Sequence, residues 1–165
     1  MAKRRGISGA IAGLPGIRGY KEKEDRREAD KRLRTELALR LQTEHGRILE
    51  AQQALAARRE YSLVAEVDRA QAKLQLLIDR IRTASYGYAG FFDAVQVKEE
   101  QLDALVAFDE ALVVQATRVN ERVAALVTAV GKNEGVAEAL NGLVSVLNEL
   151  NDTFARRAEV IAANQ

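Results

Sequence analysis

The chain has 165 residues, no Cys, no Trp, one Pro and a single His, with 30 % charged residues and a formal net charge of +1. The absence of Cys excludes disulfides, thiolate zinc sites and cysteine catalysis. The scarcity of Pro, with Ala, Leu, Glu, Arg, Lys and Gln dominant, favours long helices over a mixed fold.

Near-neutral totals conceal an asymmetry. Residues 1–35 carry 11 Lys/Arg and 5 Asp/Glu, whereas residues 36–165 carry 14 and 19. A basic arm on an acidic body suits an anionic surface, and it also suits association of one copy with another.

Residues 1–19 form the first segment. Lys3, Arg4 and Arg5 precede an apolar stretch from Ile7 to Ile17, a pattern that touches on a signal peptide or twin-arginine signal. Pro15 interrupts that stretch, no small-x-small cleavage site follows, and the chain enters a charged helix at Lys21, so the expected location is cytoplasmic. Gly6, Gly9, Gly13, Gly16 and Gly19 each weaken a helix by about 1 kcal/mol relative to Ala, which predicts a flexible arm. An arm ordered on a membrane or a neighbouring subunit is the sharper reading.

Residues 20–165 are expected to form one bundle domain, with helices over about 20–57, 62–85, 94–130 and 134–163. Opposite charges at i and i+4, such as Glu22 with Arg26 and Glu28 with Arg32, describe a solvated start to the first helix. Leu37, Leu41, Ile48 and Leu55 form its apolar stripe. Leu63, Val67, Ala70, Leu74, Leu77 and Ile81 form the next, alternating steps of four and three as a seam facing another helix does. The step from Leu55 to Leu63 breaks the register, and two architectures fit: one long helix, or a hairpin turning near Ser62 with Ser62 as N-cap. The hairpin is the favoured reading, although no Gly or Pro marks the turn.

The stretch LAARREYSLVAEVDRAQAKL, residues 55–74, resembles the hairpin turn of the phage-shock and vesicle-inducing membrane-remodelling family. That resemblance implies a basic and apolar N-terminal arm followed by long antiparallel helices that polymerise on membranes. It covers about a fifth of the chain. The short length and the break at residues 86–92 depart from the family pattern, so it serves as an analogy.

The break reads Tyr86-Gly87-Tyr88-Ala89-Gly90-Phe91-Phe92 and gathers half of the eight aromatics. Gly87 can end a helix, and Asp93 with Gln96 makes a capping box, flanked by Phe92 and Val97 as a hydrophobic staple. Tyr86, Tyr88, Phe91 and Phe92 either plug the end of the bundle or form a tip that holds a protein partner or a lipid interface. No Lys or Arg lies between Arg82 and Lys98, which argues against nucleic acid as a partner here.

In the third helix Leu102, Leu105, Asp109, Leu112, Ala116, Val119, Val123, Leu126 and Val130 keep the four-three alternation, with Val106, Val113 and Val127 flanking. So wide a face predicts a bundle rather than a two-stranded coil. Gly131 is expected to stop this helix and Asn133 to cap the fourth. The fourth helix's stripe is Val136, Leu140, Leu143, Leu147, Leu150, Phe154, Ala158 and Ile161. The short link makes helices three and four antiparallel neighbours. The fold class is therefore all-α, an elongated antiparallel bundle of three or four helices.

Asp109 is expected to tilt out to solvent, the alternatives being a register-setting ion pair or a pocket acid. Asn120 and Asn148 are edge positions or register devices. His45 has no second histidine to share a metal and is expected to lie partly exposed on the helix surface. No phosphate loop, Gly-x-Ser-x-Gly or His-Glu-x-x-His occurs. The expectation is a non-enzymatic protein with no catalytic residue, cofactor or metal. It would act as a self-associating scaffold at an anionic membrane surface, or as an adaptor binding a protein through residues 86–92. Lys3, Arg4, Arg5, Tyr86, Tyr88, Phe91 and Phe92 are the candidate interaction residues.

Overall fold

Apolar positions at three- and four-residue spacing have one economical outcome, burial along helix faces, and among the described residues four helices realise it. The computed structural model describes residues 23–84 and 99–162, with side-chain surroundings from residue 31 to 84 and from 107 to 156 together with 159. Helix α1 spans Lys23–Ala57, α2 Tyr61–Thr83, α3 Glu99–Lys132 and α4 Val136–Ala162, and no strand occurs among the described residues. The 35 residues of α1 extend about 52 Å at 1.5 Å per residue.

The chain reverses between α1 and α2, so residues 20–85 do not form one continuous helix. The Glu60 amide donates to the Leu55 carbonyl at 3.1 Å and the Arg59 amide to the Ala56 carbonyl at 3.0 Å. These two bonds define a Schellman motif, with Arg59 in the left-handed conformation at φ 63°. The expected N-cap is corrected: α2 starts at Tyr61, Glu60 precedes it without a side-chain capping bond, and Ser62 is exposed within the first turn. Backbone bonds close the reversal, so no hydroxyl cap is required.

The link between α3 and α4 uses the same motif. The Glu134 amide donates to the Ala129 carbonyl at 3.1 Å and the Asn133 amide to the Val130 carbonyl at 3.3 Å. Here too the expectation is corrected. The helix runs through Gly131 to Lys132, and Asn133 takes the left-handed position at φ 55° instead of capping α4. A short polar side chain tolerates that conformation. Gly135, at φ 68°, directly precedes α4, and its carbonyl accepts the Ala139 amide at 3.0 Å.

Each pair, α1–α2 and α3–α4, is thus an antiparallel hairpin. The hairpins dock with α1 beside α3 and α2 beside α4. Across that junction the neighbours run parallel: Leu33 packs on Val113, Asn120 bonds Glu44 further along, and Arg58 reaches the Val130 carbonyl at the far end. Both turns consequently lie at one end of the bundle. The start of α1, the end of α2, the start of α3 and the end of α4 lie at the other, open end. Helices α2 and α3, consecutive among the described helices, sit across the diagonal.

The described members of all four stripes meet in one core. Leu37, Leu41, Ile48 and Leu55 join Val67, Leu74, Leu77 and Ile81 from α2, Val119, Val123 and Leu126 from α3, and Leu140, Leu143, Leu147 and Leu150 from α4. Each large aliphatic chain so buried contributes about 1.5–3 kcal/mol of transfer free energy. Val113 is buried with Leu33, but Val127 is 39 % exposed, so the expected flanking stripe of α3 covers only part of its length. The surroundings of Leu102, Leu105, Val106, Ala158 and Ile161 lie outside the described residues, as do Asp93, Gln96 and their capping box.

Candidate functional site: the open end and the buried polar groups

Lys3, Arg4, Arg5, Tyr86, Tyr88, Phe91 and Phe92 all lie outside the described residues. The positions where their segments join the bundle are described. Residues 1–22 precede the start of α1, and residues 85–98 run from just beyond the end of α2 to the start of α3. All of these junctions are at the open end. The fold therefore attaches the basic and the aromatic segments to the same end of one body.

Among the described residues few polar side chains are buried, and three of those four lie on the first hairpin: Arg34, Glu44 and Gln71, with Asp109 on α3. Glu44 is 6 % exposed. Its Oε1 accepts the Asn120 Nδ2 at 2.7 Å from across the α1–α3 junction, and its Oε2 accepts Arg47 Nη1 at 2.8 Å from the next turn. A buried carboxylate is costly unless both oxygens are satisfied, and here they are. The pair locks the longitudinal register of the two hairpins.

Asp109 is corrected: it does not tilt out to solvent but is buried at 6 % exposure, and it is not without a partner. Position 109 belongs to the seam itself, and α3 packs against both α1 and α4. Asn120 and Asn148 are exposed, yet both bridge helices. Asn120 holds Glu44, and Asn148 Oδ1 accepts Lys73 Nζ at 3.0 Å across the α2–α4 junction. Arg80 reaches Asn151 Oδ1 at 3.5 Å in the same seam. The register-device reading therefore applies to both junctions. His45 is half-buried on α1.

Glu44 and Gln71 are not among the candidate residues of the sequence, whereas Arg34, expected on the solvated basic start of the first helix, is buried instead. Glu44 had a signal. The seven-residue step from Leu41 to Ile48 skips one seam position, and Glu44 occupies it. Arg34 carried none, because a long aliphatic stem can lie along an apolar face while its head finds a backbone acceptor, here the Ile81 carbonyl at 3.5 Å. Gln71 Nε2 and Gln115 Oε1 are buried without a hydrogen bond, although Gln115 Nε2 donates to Thr153 Oγ1 at 2.9 Å.

A groove opens between α1 and α2 near the open end, lined by Lys31, Arg34, Thr35, Ala38, Leu39 and Arg82. No group of three or more His, Cys, Asp or Glu side chains among the described residues could hold a metal ion. No described helix is long and apolar enough to cross a membrane. What the arrangement provides is a closed core with polar register locks and a cationic groove at the end where the undescribed segments attach. No family model, curated protein or solved structure matches the chain.

Proposed function

We propose that the chain is a non-enzymatic helical scaffold of the cytoplasm that acts by self-association at an anionic membrane surface, with the open end of the bundle as its contact region. One observation carries the reading. The bundle consumes the described seams internally, so association must use something else, and the basic segment 1–22 and the aromatic segment 85–98 attach at a common end. Basic side chains draw an anionic bilayer, while Tyr and Phe suit its interface. The same placement supports an adaptor that grips a protein partner through residues 86–92.

The test combines light scattering after size-exclusion chromatography with sedimentation on phosphatidylserine vesicles at low salt. Wild type is expected to form oligomers and to sediment with vesicles. Replacing Lys3, Arg4 and Arg5 with Ala should weaken vesicle binding, and Tyr88→Ala with Phe91→Ala should reduce assembly at unchanged helix content. A protein that stays monomeric and ignores the vesicles overturns the scaffold reading. If it instead recovers a defined protein partner, lost on Tyr88→Ala and Phe91→Ala, the adaptor stands.

A further inference from the structure

We propose that the groove between α1 and α2 at the open end binds the phosphate of an anionic lipid headgroup. The inference rests on the membrane component of the scaffold reading and assigns that contact to residues of the folded body. The groove has a volume of about 340 Å³, and three of its six lining residues, Lys31, Arg34 and Arg82, carry positive charge. They come from two helices that only the hairpin brings together.

Lys31 and Arg82 are exposed, and among the described residues neither makes an ion pair. Two acidic side chains near them in sequence are engaged elsewhere: Glu36 accepts Arg40 Nε at 2.8 Å, and Asp79 accepts Gln75 Nε2 at 2.9 Å. Arg34 is 9 % exposed, and its bond to the Ile81 carbonyl fixes the guanidinium against the inner wall. A groove whose two mouth cations make no ion pair among the described residues is a focus of positive potential, and oxyanions are its complementary ligands.

Leu39 selects among those ligands. It lines the same groove and is 54 % exposed, a large apolar side chain held in water beside the cations. Free phosphate or a peptide of acidic side chains alone would use the cations and leave Leu39 wet. A phospholipid uses both, with phosphate at the cations and glycerol or acyl carbons at Leu39. Residues 1–22, with Lys3, Arg4 and Arg5, join α1 at this end, so one bilayer can meet arm and groove together.

The experiment compares the full-length double variant Lys31→Glu, Arg82→Glu with the control Arg69→Glu, Lys132→Glu, which changes net charge equally on exposed sites away from the open end. Binding is read by sedimentation on phosphatidylcholine vesicles with and without phosphatidylserine. Helix content is checked by circular dichroism. The groove variant should lose roughly tenfold or more in affinity for the anionic vesicles and the control less than about threefold. Lys31→Gln and Arg82→Gln singly should give smaller losses in the same direction, and they serve if the double reversal unfolds. Equal losses in groove variant and control overturn the proposal, since they show bulk attraction alone. Binding of inorganic phosphate or polyglutamate by wild type, lost in the groove variant and without vesicle binding, also overturns it. Light scattering separates this outcome from the scaffold reading: groove-dependent vesicle binding by a monomer sinks self-association alone, whereas assembly with groove-independent vesicle binding sinks the groove alone.

Discussion

The two hairpins solve the same reversal with different residues. Both close by a Schellman motif, but the first places Arg59 in the left-handed position and the second places Asn133 there, followed by Gly135. Their seams are also in step: Leu37, Leu41, Glu44, Ile48, Ala51 and Leu55 on α1 match the spacing of Leu112, Ala116, Val119, Val123, Leu126 and Val130 on α3. At the third position of this series the first hairpin carries a buried carboxylate and the second a buried valine. The comparison shows that geometry at a seam or turn does not dictate chemistry. A polar residue is tolerated where a specific partner crosses from the neighbouring helix, and Asn120 is that partner for Glu44.

The sharpest way to break the comparison is Val119→Glu, which puts a carboxylate into the second hairpin at the matching position, fully buried and with no partner built for it. A loss of about 3–5 kcal/mol is expected, enough to abolish cooperative unfolding in urea or to shift its midpoint far down. Leu41→Ala and Leu147→Ala probe whether the hairpins contribute equally to the core, since both side chains are fully buried. Each should cost about 2–5 kcal/mol in the same assay, and a difference larger than that range would show that one hairpin is the more rigid.

Asn120→Ala removes the partner but leaves Glu44 buried with Arg47 alone. A loss of about 1–3 kcal/mol is expected, whereas the double variant Glu44→Leu, Asn120→Ala should recover much of it because no buried charge remains. A thermal-melt double-mutant cycle measures the coupling. Arg59→Gly should stabilise the first turn by about 1 kcal/mol, since the left-handed conformation strains an L side chain. Asn133→Gly should gain only a few tenths of that value. Equal gains would show that the two turns are not distinguished by their residues. The smallest effect is expected at Arg118, paired with Glu149 on the outer face of α3–α4 with both side chains more than 40 % exposed. Arg118→Ala should move stability by about 0.5 kcal/mol or less.

Turn chemistry marks where the sequence stops being sufficient. The reversal between α1 and α2 had one signal, the displaced step from Leu55 to Leu63, because no Gly or Pro stands there. A backbone-closed motif accepts Arg at the left-handed site at a modest energetic cost, and such tolerance leaves no compositional trace. Gly131 misled in the opposite sense. A helical glycine costs about 1 kcal/mol, which the buried contacts of Val130 on one side and the capping bonds on the other outweigh. Of the candidate interaction residues, their attachment to a common end is visible only in the folded molecule. Lys31 and Arg82 had no reason to be paired in sequence at all.

The sequence by itself determined that the chain is helical, where the core stripes run and that the third and fourth helices are antiparallel neighbours. These follow from side-chain spacing, helix propensity and a short link, all of which are local. Only the tertiary structure decided that the first long stretch folds back and that α1 lies beside α3 with parallel sense. It also decided that Asp109 and Glu44 are buried and that the cationic groove shares its end with both undescribed segments. Those outcomes depend on which helix covers which face, and an amphipathic stripe specifies that it must be covered without specifying by what.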